Sequence, residues 1–288
     1  MEKEKKAKRE SALLETLRLT VRSPSAKLGA ILFCLVVVLS LLAPLFAPYS
    51  PTDLDIRMIS KPPNAAHIFG TDHMGRDIFS RILYGGRYSL ALGVCSSLLG
   101  ALIGVVFGTV AGYFGGAVET LIMRFMDVLS SLPSLLLCIL LSSALGKGFF
   151  NTVLALTIGS IPQGVRMMRA QILSERSREY VEAAESINCS KISIMFRHLL
   201  PNAISPMIVV TTMGIGSTIM SSSSLSFIGL GVQPPTPEWG AMLSDARSHM
   251  LTAQYMMLFP GLFIAITILA INLLGDGLRD ALDPKLRN

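Results

Sequence analysis

Long uncharged apolar runs alternate along the chain with short charged ones, and the runs have membrane-spanning length. A helix needs about 20 apolar residues to cross a bilayer and tolerates about 17 to 25. Six runs qualify: 28–47, 88–114, 128–145 with Pro133 inside it, 149–165 with Pro162 near its end, one within 203–226 and one within 255–274. The pattern predicts an all-α polytopic membrane protein with six transmembrane helices. In the second run Gly100, Gly104, Gly108 and Gly112 recur every four residues, so they stack on one helix face that Gly93 and Ser96 broaden. Glycines so placed let two backbones pack closely, within this chain or against another subunit. Pro133, Pro162, Pro206 and Pro260 free backbone groups that neighbouring helices or water must satisfy, as structural kinks or as hinges.

Composition agrees with the pattern: 51% hydrophobic and 15% charged over 288 residues, where a soluble domain carries about a quarter charged. Eight of the 25 Lys and Arg precede Leu28. With that end cytoplasmic, six spans put eighteen of the 25 on the cytoplasmic side. The positive-inside rule therefore accounts for the net charge of +6, and no nucleic-acid partner is needed. The first run is too long for the 7 to 15 residues of a signal peptide's apolar region, so it reads as an uncleaved anchor. Cys34, Cys95 and Cys138 fall inside spans and Cys189 in a cytoplasmic loop, which argues against a disulfide framework. His67 and His73, both external, are too few to suggest a metal site.

Ionisable residues are almost absent from the spans. Arg124 and Asp127 lie three apart at the start of the third and could pair with each other. Ion-driven carriers need buried relays, and no glycine-rich nucleotide loop, zinc-protease helix or nucleophile elbow occurs, so any energy the chain uses must come from elsewhere. In the fifth span, residues 217–226 hold six serines. Ser221, Ser222, Ser223 and Ser224 are candidates for lining a watery pathway, although isolated hydroxyls in lipid commonly bond back to the preceding turn.

One polar interruption, 177–202, predicts two short helices. Ser177 is placed to cap the first, with Glu179 and Glu182 in its opening turns, and Asn188 is placed for a left-handed stop. Ser190 caps the second, where Ile192, Met195, Phe196 and Leu199 recur at helical spacing. Ala183, Ala184 and Ile187 form a smooth patch beside Glu182 on which another surface could sit closely. An interfacial helix pair lying on lipid headgroups is the other reading.

This stretch resembles the EAA loop of bacterial ABC importer permeases, which reads Glu-Ala-Ala, three residues, then Gly. Here Glu182, Ala183 and Ala184 are followed by Asn188 in place of the glycine. Three further segments are similar to the C-type subunits of the dipeptide/oligopeptide/nickel permease family: FGTDHMGRDIFSRILYGGR at 69–87, LSFIGLGVQPPTPEWG at 225–240 and NLLGDGLRDALDP at 272–284. In the first, Ile78, Phe79, Ile82 and Leu83 oppose Asp77, Ser80 and Arg81, as in a short interfacial helix. The second should leave the helix as an external cap with Trp239 at the membrane interface, and the third should end its span at the cytoplasmic surface.

The resemblance implies the fold of a type I ABC importer permease. It divides the chain into a basic cytoplasmic segment (1–27), a first span with external segment (28–87), a transmembrane domain (88–276) and a cytoplasmic tail (277–288). It further implies a cell-membrane subunit with both termini cytoplasmic, without catalytic residues or cofactor, importing dipeptides or oligopeptides by alternating access. Nickel or another small solute is the alternative cargo, and a secondary transporter or a non-transporting scaffold the alternatives of another class. Its partners would be a second permease, one or two ATPases docked at Glu182, Ala183, Ala184 and Asn188, and an external binding protein.

Overall fold

A computed structural model describes residues 23–282, which are helical apart from connecting segments and one isolated bridge between Thr71 and Asp77. The eight N-terminal basic residues, Lys27 excepted, and Pro284 lie outside the described residues.

The first run forms α1 (Pro24–Leu41) and a single further turn, α2 (Ala43–Phe46). Pro44 has no N–H to give the preceding turn, so the helix breaks at Leu42. The second run belongs to α3 (Ile78–Phe114), 37 residues long. That is roughly 55 Å at about 1.5 Å per residue, well beyond the hydrocarbon thickness. The expected interfacial helix is therefore the first two turns of α3. Its polar face is not solvated either: Asp77, Ser80 and Arg81 are all buried, covered by the segment that precedes them.

Glycines with positive φ, Gly115 and Gly116, turn the chain from α3 into α4 (Gly116–Leu129). The third run does not cross as one helix, because α4 and α5 (Ser134–Leu145) meet at 80° where Pro133 stands before the first turn of α5. In α6 (Phe149–Arg176) and α12 below, Pro162 and Pro260 do lie inside the helix. Pro206 does not, since it sits in the first turn of α10 where no bond is lost. The loop region comprises α7 (Glu179–Ser186), α8 (Lys191–Ser193), a π-helical turn (Ile194–Leu199) and α9 (Leu200–Ala203). Then come α10 (Ser205–Phe227), α11 (Trp239–Ala246) and α12 (Tyr255–Leu282). Helix α12 continues through Gly275 and Gly277 instead of stopping there, and Gly275 receives Met213 of α10.

By length and apolarity α1, α3, α10 and α12 can each cross a membrane, and the bent pair α4–α5 makes a fifth span if taken as one. The fourth expected crossing, in α6, has the length, but Asn151, Gln163 and Arg166 dilute its apolar run. Large apolar side chains point outward, among them Leu45, Leu121 and Phe150 at 74–79% exposure, as a lipid solvent requires. The most extensive packing is between α3 and α6, while α12 packs on α1 and α10. A Cβ on Gly104 would stand 2.9 Å from Gly164 Cα, and one on Gly108 2.6 Å from Met168 Cβ. The glycine face thus serves packing within the subunit.

Candidate functional site

The polar loop is built onto the ends of α3 and α6. Val181 and Ala184 of α7, with Ile194, Met195 and Leu199 of the π turn, are buried among Tyr113, Met168 and Ile172. Ser177 does not cap α7. Its hydroxyl closes the preceding helix by donating to Ser174 O at 3.3 Å, and Arg178 holds the capping position without a side-chain bond. Instead Tyr180 Oη donates to Glu175 Oε2 at 2.9 Å, tying α7 to the end of α6. Burial first, then that Glu175 bond, raises the Tyr180 phenol above its ordinary value.

The C-terminus of α7 closes as a Schellman motif. Asn188 adopts φ 56°, its N–H donates to Glu185 O at 2.9 Å, and the Cys189 N–H reaches Ala184 O at 3.1 Å. The left-handed stop thus forms with Asn in place of Gly. Ser190 caps the next helix by accepting from the Ser193 N–H at 3.3 Å. The smooth patch, however, is split. Ala184 is 6% exposed and faces into the chain, while Ala183 and Glu182 face out. Ile187 and Ile192 (76% and 69% exposed) and Phe196 also face out. The outer face is therefore Glu182, Ala183, Ile187 and Asn188, continued by Ile192 and Phe196 of the second helix.

The serine tract also divides. Ser221 and Ser224 donate back to Ser217 O and Met220 O at 3.0 and 2.9 Å. Ser222 and Ser223 are buried, with no hydrogen-bond partner for either hydroxyl oxygen among the described residues. None of the four lines the polar cleft between α3, α6 and α10, which is bordered by Ser97, Ser160, Gln163, Thr211, Ser217 and Thr218. Asp127 pairs with Arg166 of α6 at 3.0 Å, not with Arg124.

Two buried polar assemblies on the other end were not anticipated. Arg76 binds Asp72 at 2.6 Å and Asp245 of α11 at 3.4 Å, Arg81 donates to Pro51 O at 3.0 Å, and His67 Nδ1 lies 2.9 Å from Asp77. Glu238 is fully buried as the cap of α11: it accepts from the Ala241 N–H at 2.8 Å and from Ser89 Oγ of α3 at 3.1 Å. Trp239 is likewise fully buried, its Nε1 donating to Ile82 O at 2.9 Å, so it anchors the cap inside the protein and does not sit in an interfacial belt. The motifs at 69–87 and 225–240 hold all these groups except Pro51, His67, Ser89, Ala241 and Asp245, but nothing in either motif shows that the two meet.

Residues 104–288 match the family described as binding-protein-dependent transport system inner membrane component, and residues 11–63 match the N-terminal transmembrane domain of oligopeptide transport permease C. A glutathione transport system permease protein of Pectobacterium atrosepticum is 44% identical, with 95% of this chain and 91% of that protein covered. A di/tripeptide transport system permease protein of Pseudomonas aeruginosa is also 44% identical, with 91% and 88% covered. Among solved structures, the methionine ABC transporter in an inward-facing conformation aligns at TM-score 0.58 and 18% identity, covering 70% of this chain and 97% of that one. The last likeness shows the fold alone, that of a chain of an ABC transporter. With the first match spanning most of its length, the chain belongs to the binding-protein-dependent transport system inner membrane component family.

Proposed function

We propose that this chain is one of two permease subunits of an ATP-driven importer of short peptides, with the ATPase docked on the outer face of α7 and both termini cytoplasmic. The observation that carries it is likeness along nearly the whole chain to permeases named for glutathione and di/tripeptide transport. The loop supports the same reading. Glu182, Ala183, Ile187 and Asn188 stay exposed, while Val181 and Ala184 lock the inner face onto Tyr113 of α3 and Met168 and Ile172 of α6. A push on the outer face therefore reaches two spanning helices through close-packed side chains, which transmit displacement instead of absorbing it. An external binding protein would deliver the peptide at the opposite end, near α11.

The test is uptake by proteoliposomes carrying the full complex, offered labelled dialanine or Ni²⁺ with ATP and binding protein. Dialanine uptake supports the reading, and uptake of Ni²⁺ alone overturns the peptide assignment. Ala183→Trp should abolish uptake while the chain keeps its fold. Ala184→Trp should instead impair folding of the loop, because overpacking a closed site costs about 1–3 kcal/mol or more.

A further inference from the structure

Resting on the peptide reading, we propose that the cleft between α3, α6 and α10 is this chain's share of the transport path and that it recognises N–H groups, the peptide's α-ammonium foremost, through uncharged oxygen acceptors. The cleft lies midway along the helices and offers about 80 Å³, room for several waters. No charged side chain among the described residues lines it.

A hydroxyl has one proton to give and two lone pairs to receive with. Here the protons are already committed inside the protein. Ser160 Oγ donates to Thr157 O at 2.8 Å, Thr211 Oγ1 to Met207 O at 2.7 Å, and Ser217 Oγ to Gly214 O at 2.9 Å. Thr218 Oγ1 donates to Gly214 O at 2.8 Å and itself accepts from Ser97 Oγ at 2.9 Å. What these hydroxyls leave toward the cleft is lone pairs. Gln163, exposed at its border, adds an amide oxygen and supplies the lining's side-chain N–H donors.

A surplus of neutral acceptors favours ammonium and amide N–H groups over carboxylates. A carboxylate lining would hold the ammonium as a buried ion pair, which is costly to break. Neutral acceptors let the cargo enter and leave, as conduction demands. Peptides of any side chain carry the groups this surface can read.

The experiment uses the full complex in proteoliposomes with dialanine as cargo. The double variant Thr211→Val, Ser217→Ala removes two acceptors at nearly constant volume at Thr211. Dialanine uptake should fall at least about tenfold, the loss expected for a single hydrogen bond to a charged donor. Co-purification and binding-protein-stimulated ATP hydrolysis should stay at wild-type level. Thr211→Ser, which keeps the oxygen, should retain uptake. Wild-type uptake by the double variant overturns the proposal, as does a Thr211→Ser as impaired as the double variant, which would show a packing role. Failure of the wild-type complex to move dialanine overturns the peptide reading itself and takes N–H recognition with it.

Discussion

Replacing Glu238 by Ala should open the junction between α3 and α11 before the rest of the protein unfolds. Its carboxylate ends the orphan Ala241 N–H at 2.8 Å and accepts from Ser89 Oγ, which in turn accepts from the Trp239 N–H at 3.1 Å. Loss of a cap costs about 1 kcal/mol. A buried donor left without a partner costs about 1–3 kcal/mol. Together the truncation should cost about 2–4 kcal/mol, a large fraction of the stability of an ordinary domain. Glu238→Gln should cost less, since its amide oxygen can serve the Ala241 N–H while its NH₂ meets Ser89 Oγ.

Acidity separates the two variants further. Burial raises the Glu238 carboxyl above the ordinary carboxylate value, with the N–H groups of Gly240 and Ala241 and the Ser89 hydroxyl acting the other way. A folded pKa above the unfolded one means that the folded state holds the proton more tightly. Its contribution to stability is full below the unfolded pKa and is lost as pH rises through the folded pKa. The wild type should therefore lose stability between those two values on going to higher pH, and Glu238→Gln should not. Trp239, the only tryptophan, is fully buried beside this carboxylate, so its emission wavelength during urea unfolding in detergent reads the junction directly. An unchanged midpoint for Glu238→Ala, or an unchanged pH slope for Glu238→Gln, would refute the reasoning.

Asn188→Gly should stabilise the loop by up to about 1 kcal/mol, because φ 56° costs a side chain what it does not cost glycine; Asn188→Val should weaken it, and protease resistance of the loop would rank the three. Gly104→Ala should destabilise the α3–α6 pair by about 1–3 kcal/mol through a Cβ placed 2.9 Å from Gly164 Cα. Gly261→Ala, whose Cβ would meet nothing nearer than Leu243 Cδ2 at 3.9 Å, should be neutral or gain up to about 1 kcal/mol, and thermal unfolding in detergent compares the two. Single cysteines across the serine tract should label unevenly with a water-soluble thiol reagent: Ser222→Cys and Ser223→Cys protected, Ser221→Cys and Ser224→Cys more reactive. Uniform labelling would contradict the burial.

The spans were legible because a bilayer imposes one length and one polarity on whatever crosses it, and the stop at Asn188 because a left-handed residue after a helix has few candidates. The faces were harder to read. Ala183 and Ala184 are the same residue turned by about 100° about the helix axis, and only the position of Tyr113, Met168 and Ile172 decides which one is covered. The amphipathic start of α3 misled for a related reason. Asp77, Ser80 and Arg81 look solvated when water is assumed to be the partner, whereas the preceding segment folds back to bury them. Glu238 and Ser89 are 149 residues apart and Arg76 and Asp245 are 169 apart, separations at which hydrophobic periodicity carries no information.

These long-range contacts bear on how a push at one end could be felt at the other. The polar loop at 177–202 rests on α3 and α6, whose glycine-spaced faces bring their backbones into contact near Gly104 and Gly164. Two helices packed backbone to backbone cannot slide without separating, so they should respond as one body. Helix α10 packs far less extensively on α6 than α3 does, and the hydroxyl-lined cleft lies along that looser seam. At the far end α3 carries Ser89, bonded to Glu238, and so carries the cap helix α11 with it. A displacement entering at α7 thus has a stiff route along α3 to the cap and a compliant seam beside it, the arrangement that opening a path at one end while closing the other requires.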